Sequence, residues 1–227
     1  MSSATPERAA QRAAGMTSVV RLIAALLLTA VTGAFVLATN RDIQMSCTPH
    51  GMLSLQFAGS AECARLVVQS WAGQCADTEA QRALHGCAAA TGSPDAAQQR
   101  VEARPPGARL HTARQTLWAD FAFMTAYSIF LWMLCTRAAA TLSGAPRGVG
   151  QAAIYAAPLA GLADVSENAA HLMFLAAGAD GPGQALFAWA HYSVLLKWGL
   201  ISLIAAFLAA AVLRLLVRWA RPTEERR

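Results

Sequence analysis

The chain of 227 residues has little charge. Asp, Glu, Lys and Arg make up 14% of it, whereas soluble domains carry about 25%. Lysine occurs once, as Lys197, and the other basic residues are arginines that lie almost entirely outside the apolar runs. No basic stripe with interleaved aromatic residues is present, which argues against a nucleic-acid partner. With 56% hydrophobic residues, the sequence predicts a membrane protein whose main partner is the lipid bilayer.

Motifs of metal and cofactor sites are also absent from the sequence, as are internal repeats. No C-x-x-C, H-x-x-x-H or H-E-x-x-H pair occurs in the sequence, so we predict no metal site. A phosphate-binding loop, a dinucleotide fingerprint and a haem-attachment motif are absent as well, so no cofactor is predicted. The two halves of the chain do not repeat each other, which gives no support to the inverted-repeat plan of many transporters.

Four apolar runs are long enough to cross a bilayer, which takes roughly 20 residues. We therefore predict an all-α integral membrane protein built as a four-transmembrane-helix bundle. Its spans are expected at 19–38, 117–136, 151–177 and 185–213. The first run has an alternative interpretation as a cleaved signal peptide with Val36-Leu37-Ala38 at its cleavage site, although its apolar core is longer than usual.

The placement of arginine predicts the orientation. Arginines occur in the amino-terminal segment 1–18, in the loop between the second and third spans, and in the basic tail 214–227. The loop AGADGPGQ between the third and fourth spans has none. By the positive-inside rule, both termini are expected in the cytoplasm, with the segment 39–116 exported.

The exported segment carries four of the five cysteines, Cys47, Cys63, Cys75 and Cys87. An even set in one exported segment predicts two disulfides that staple a helical loop. Short helices at 60–72 and 77–89, packed as a hairpin, would bring Cys63 close to Cys87 and leave Cys47 for Cys75, one of three connectivities. Unpaired thiols that fill a small core are the alternative. Cys135, in the second span, is expected to stay a thiol.

Polar residues interrupt the third predicted span. Asp164, Glu167, Asn168 and His171 have the spacing i, i+3, i+4, i+7 and therefore share one helix face. Because a charge exposed at the bilayer centre costs several kcal/mol, this face is expected to point into the bundle. Counting about 1.5 Å per residue along each helix places polar residues of the second and fourth spans at similar depths in the membrane. The predicted polar core consists of Asp120, Tyr127, Asp164, Glu167, Asn168, His171, His191 and Lys197.

Four functional interpretations of this core stay open. The first is a mainly structural core in which Lys197 neutralises Asp164 or Glu167, and which also binds a proton, an ion or a small ligand. A metal held by Asp120, His171 and His191 is weaker, because no two of these share a helix. A membrane-embedded enzyme would use the Ser193–Lys197 pair, but no catalytic residue can be assigned and we lean away from an enzyme. The fourth is an accessory subunit that binds a partner protein through the exported loop.

Several short motifs occur in a familiar order: TPHGMLSLQFAG at 48–59, DFAFMTAY at 120–127, AGLADVSEN at 160–168, and Leu196-Lys197. Together they resemble a group of small bacterial four-span inner-membrane proteins to which no activity is assigned. The resemblance implies that Asp120, Tyr127, Asp164, Glu167, Asn168 and Lys197 belong to one shared core. Two features differ from that group: the longer loop with its cysteines, and His171, where a leucine is more usual.

Overall fold

The computed structural model describes residues 6–45, 48–73, 101, 103–142, 146–178 and 183–220. In these ranges the chain forms six α-helices and no extended strand. The helices are α1 (Pro6–Arg41), α2 (Met52–Gln56), α3 (Ala61–Trp71), α4 (Pro106–Ala140), α5 (Pro146–Ala177) and α6 (Gln184–Ala220).

Three of these helices are long and apolar enough to cross a membrane, over Met16–Arg41, Gly107–Ala140 and Gln184–Val217. The chain is thus a helical membrane protein, but the prediction of four spans is wrong for the described residues. The predicted span 151–177 lies within α5, which is long enough but insufficiently apolar. Its polar face, with two carboxylates and an amide, lowers the hydropathy of any window that contains it.

The four long helices pack side by side in chain order, α1 against α4, α4 against α5, and α5 against α6. Arg137, near the end of α4, donates a hydrogen bond to Ser18, near the start of α1, so these two helices run antiparallel. Small residues allow close approach of α4 and α5. A Cβ at Gly150 would lie 2.8 Å from Ala139 Cβ, and one at Gly161 would clash with the Ser128 hydroxyl.

Residues 43–45 and 48–71 form a cap over one end of the bundle. The cap packs its buried side chains Ile43, Met45, Leu55, Val67, Val68 and Trp71 against Leu117 of α4, Phe174 and Leu175 of α5, and Ala190 of α6. The Trp71 indole nitrogen, Nε1, donates a hydrogen bond of 3.1 Å to the Ile43 carbonyl and closes the cap on itself. The cap therefore covers the ends of three helices at once.

Two local contacts position the cap helices. Asn40, near the end of α1, accepts a hydrogen bond of 2.7 Å from the Met52 amide at the start of α2. Gly51, which connects them, has a φ of +57° and faces the Asn40 side chain, a combination that suits glycine because it has no Cβ. Ser60 is the N-cap of α3 and accepts a hydrogen bond of 3.1 Å from the Cys63 amide. Helix α3 matches the helix predicted at 60–72.

The predicted pair of disulfides that staples the loop is not found among the described residues. Of the five cysteines, the described residues include Cys63 and Cys135, which do not form a pair, and Cys135 is a buried free thiol. Cys47, Cys75 and Cys87 lie outside the described residues, as does the predicted helix 77–89. Cys63 is disulfide-bonded, and apolar packing around Trp71 together with the Trp71–Ile43 hydrogen bond also holds the described cap together.

Candidate functional site: a polar cluster beside an apolar cleft

Lys197 of α6 contacts two carboxylates of α5. Its ammonium nitrogen, Nζ, lies 3.1 Å from Asp164 Oδ1 and 2.6 Å from Glu167 Oε2. The Asp164 and Lys197 residues are each 4% exposed and Glu167 is 0% exposed. The single lysine of the chain therefore has its charge balanced by α5, whose residues 164 and 167 lie one turn apart on the face toward α6.

Helix α4 contributes two more polar groups from its face toward α5. The Tyr127 hydroxyl donates a hydrogen bond of 2.8 Å to Asp164 Oδ2, so both oxygens of this carboxylate have partners. Asn168 Nδ2 donates a hydrogen bond of 2.8 Å to Asp120 Oδ2. The polar face of α5 is thus covered on one side by α4 and on the other by α6, which keeps it out of the lipid.

Four buried polar atoms on the same face have no hydrogen bond among the described residues, and one of them, Glu167 Oε2, is in contact with the Lys197 ammonium instead. The three atoms without such a contact are Glu167 Oε1, Asn168 Oδ1 and His171 Nδ1. His171 Nδ1 lies 3.8 Å from Glu167 Oε1, too far for a direct hydrogen bond. The His171 ring is held edge-on by Phe174, with ring centroids 5.7 Å apart. A buried polar atom without a partner costs about 1–3 kcal/mol. Three such atoms within five residues of α5 therefore indicate a position where a further polar group could bind.

The structure brings together seven of the eight predicted site residues and leaves out His191. The His191 ring stacks on Phe187 at 5.7 Å and lies edge-on to Tyr192, on a half-buried part of α6. In the described part of the chain, no group of three His, Cys, Asp or Glu side chains could hold a metal ion. The metal site that would have joined Asp120, His171 and His191 is therefore not formed there.

A hydroxyl network that the sequence analysis did not identify joins α5 to α6 beside the cluster. The Ser193 hydroxyl donates to Ser166 Oγ at 3.1 Å, and the Trp189 indole donates to the same oxygen at 2.6 Å. Ser193 is thus hydrogen-bonded to a serine, and the Lys197 ammonium is engaged by carboxylates. This arrangement gives no support to a Ser193–Lys197 catalytic pair, which needs the lysine as a base for the serine.

A cleft of about 550 Å³ opens beside the cluster, between α1, the cap, α4 and α6. Its walls are mostly apolar and include Leu37 of α1, Leu53 of α2, Phe123, Phe130 and Leu131 of α4, and Trp198 and Ile201 of α6. Asp120, Tyr127, Asp164 and Lys197 also line it and form its polar floor. Volumes of about 300–1,000 Å³ with few polar groups among apolar walls are typical of small-molecule sites.

The charges near the floor do not balance. Asp120, Asp164 and Glu167 supply three carboxyl groups, whereas Lys197 supplies the one ammonium group of the cluster. If all were ionised, the cluster would carry a net charge of three negative against one positive, or −2. Uncompensated buried charge is expensive, so the cluster favours the binding of a proton or of another cation.

Comparison with protein-family models, with curated proteins and with solved structures finds no match to this chain. The polar cluster and the cleft are therefore the features that indicate a function.

Proposed function

We propose that this protein binds a cationic amphiphile within the membrane. The apolar chain of the ligand would lie in the cleft between α1, α4 and α6, and its ammonium head group would reach the polar floor. The observation that carries the proposal is the excess of carboxyl groups at the floor of an apolar cleft, where Asp120 and Asp164 line the cavity beside Lys197. A head group with one positive charge reduces that excess and replaces water at the carboxylates.

Asp120 is the residue best placed to receive such a head group. Asp164 already pairs with Lys197 and Tyr127, whereas the contact described for Asp120 is the neutral Asn168 amide. Asp120 is also only partly buried and lines the cleft. A cation in the cleft can therefore approach Asp120 without breaking the Lys197 ion pairs, and hydrogen bonds to charged groups contribute about 1.5–3 kcal/mol.

We also propose a cellular location and a membrane orientation for the protein. The cell compartment would be the inner membrane of a bacterium, with the capped end of the bundle outside and the opposite end in the cytoplasm. Arg137, Arg147 and Arg214 support this orientation, because all three lie near the helix ends remote from the cap. Arginines in the long segment 39–116 weigh little in the positive-inside rule. The resemblance to small bacterial inner-membrane proteins also supports the inner-membrane location.

Fluorescence quenching tests the proposal directly. Trp198 lines the cleft and its ring centroid lies 5.7 Å from Lys197 Nζ, so a bromine-labelled alkylamine bound in the cleft should quench it. The difference between the parent and a Trp198→Phe variant isolates this signal from the other tryptophans. We expect the amine to bind more tightly than an alcohol or a carboxylate of the same bromoalkyl chain.

Two variants and their matched controls separate head-group binding from chain binding. Asp120→Asn should weaken amine binding about tenfold, equivalent to 1.4 kcal/mol, whereas Asp42→Asn, at an exposed carboxylate paired with Arg104, should not. Leu53→Phe narrows the cleft and should weaken all three probes, whereas Leu195→Phe, at an exposed position outside the cleft, should not. Equal affinity for the three head groups, or no effect of Asp120→Asn, would overturn the proposal.

A further inference from the structure

A second group of buried polar atoms lies behind the polar floor of the cleft, around Glu167. Glu167 Oε2 contacts the Lys197 ammonium at 2.6 Å, and Glu167 Oε1 is 3.8 Å from His171 Nδ1. Glu167, Asn168 and His171 do not line the cleft and are 0%, 0% and 1% exposed. This place is therefore separate from the surface on which the proposed amphiphile would bind.

Asn168, the next residue along α5, adds a third polar atom without a described partner. Its Nδ2 donates to Asp120 Oδ2 at 2.8 Å, which leaves Oδ1 as an acceptor without a described partner. Glu167 Oε1 and His171 Nδ1 are equally without a partner. The site thus offers an amide oxygen, a carboxyl oxygen and an imidazole nitrogen, which can each bind a small group that both donates and accepts hydrogen bonds.

We propose that Glu167 Oε1, Asn168 Oδ1 and His171 Nδ1 hold one buried water molecule. Buried waters typically make two to four hydrogen bonds to polar groups that lack other partners, and Glu167 Oε1 and His171 Nδ1, 3.8 Å apart, are too far from each other for a direct hydrogen bond. A divalent cation fits less well, because Mg²⁺ and Ca²⁺ take six or more oxygen ligands.

The hydrogen bonds of this water balance when Glu167 is protonated. The Glu167 carboxyl O–H donates to the water, and the two O–H groups of the water donate to His171 Nδ1 and to Asn168 Oδ1. The charged groups that face the pair are Lys197 from α6, Asp120 from α4 and Asp164 from α5 itself.

Infrared spectroscopy of the whole protein in nanodiscs, without any amphiphile, tests this site. We expect acidification to reveal a carboxylic-acid C=O band that Glu167→Gln removes, whereas Glu62→Gln, at an exposed carboxylate paired with Arg65, retains it. In ¹⁸O-labelled water, an O–H band of a strongly hydrogen-bonded water should shift. His171→Phe, which keeps a ring but removes Nδ1, should abolish that water band.

The outcomes distinguish the site from an ordinary structural core. A water band of equal intensity and frequency in the parent and in His171→Phe would overturn the proposal, as would a carboxyl band that Glu167→Gln leaves in place. If His171→Phe does not fold, His171→Gln supplies a second comparison, because its amide should shift the water band. An unshifted band in that variant would also overturn the proposal. Because no amphiphile is present, these results do not depend on the quenching experiment.

Discussion

Lys197 and Glu167 lie 2.6 Å apart across the interface of α5 and α6, and neither residue is more than 4% exposed. Asp164 completes the contact at 3.1 Å from the same ammonium. Two helices that are otherwise apolar are thereby fixed in one register, because sliding either helix would leave a buried charge without a partner. A buried ion pair of this kind stabilises little over an apolar pair, but losing one partner is costly.

Replacing Lys197 should therefore destabilise the bundle strongly. We expect Lys197→Met to lower the free energy of unfolding by about 3–5 kcal/mol, since it leaves two buried carboxyl groups without their cation. Leu196→Met, at the exposed neighbouring position, is the matched control and should have little effect. Denaturant unfolding in mixed micelles measures both. A Lys197→Met protein as stable as its parent would mean that the carboxyl groups have another partner.

The close approach of α4 and α5 gives a second prediction. A Cβ at residue 161 would clash with the Ser128 hydroxyl and lie 3.1 Å from Ser128 Cβ, so Gly161→Ala should cost about 1–3 kcal/mol by overpacking. Gly199→Ala, where nothing lies within 4 Å of the new methyl group, should be neutral or slightly stabilising. Ser128→Ala should reduce the cost of Gly161→Ala by 0.5 kcal/mol or more, as contacting residues do in double-mutant cycles. Additive effects would contradict the contact.

The polar cluster shows which features of the site helical periodicity can predict. The spacing of Asp164, Glu167, Asn168 and His171 predicted their common face, and counting depth along each helix predicted Lys197 and Tyr127 as neighbours. The same polar residues made α5 too polar for the span predicted at 151–177. Helical periodicity alone could not separate these outcomes, because a polar stripe on a buried helix and one on a membrane span have the same period. The mean hydropathy of the segment separates them.

Other parts of the site depend on contacts that periodicity does not encode. His191 lies six residues before Lys197 and so on another face of α6, where it stacks on Phe187. The Ser166 network joins residues 23 and 27 positions apart, and the cleft is formed by α1, α2, α4 and α6 together. The one available signal was the i, i+4 spacing of Trp189 and Ser193, which places both donors on one face of α6.

The cap should be one cooperative unit centred on Trp71. Trp71→Phe removes the hydrogen bond to the Ile43 carbonyl and should cost about 1–3 kcal/mol, because a buried acceptor loses its donor. Trp71→Ala also leaves a cavity and should cost about 3–5 kcal/mol. Trp219→Ala, at a side chain that is 82% exposed, is the control. Limited proteolysis checks the order of these effects, with the cap cut fastest in Trp71→Ala.

The proposed orientation can be tested at two open glycines at opposite ends of the bundle. Gly59, between α2 and α3, and Gly148, in the first turn of α5, both have open space around a new side chain. In intact cells, a membrane-impermeant thiol reagent should label Gly59→Cys above the labelling of the parent. It should label Gly148→Cys only after the membrane is permeabilised. Labelling of Gly148→Cys in intact cells would reverse the orientation or show that this end is not cytoplasmic.

Acid should weaken amphiphile binding if the cleft and the site behind it are coupled through Glu167. Protonation of Glu167 removes the negative charge beside Lys197, so the cleft floor becomes more positive and an alkylammonium head group is held less well. The probe itself stays charged over this range, because an alkylamine of the lysine type has a pKa of about 10.4. The affinity of the bromoalkylamine should therefore fall about tenfold, or 1.4 kcal/mol, as the pH is lowered.

Glu167→Gln separates this coupling from direct titration of Asp120 in the cleft. The variant keeps the side-chain shape but carries no charge at any pH, so it should bind the amine weakly throughout and lose most of the pH dependence. Glu62→Gln, whose carboxylate lies in the cap helix α3 and is exposed, should reproduce the parent profile. Quenching of Trp198 measures all three proteins under the same conditions. If Glu167→Gln retains the full pH dependence of the parent, the titrating group is on the cleft floor, and Glu167 does not transmit the protonation state of the buried site to the ligand.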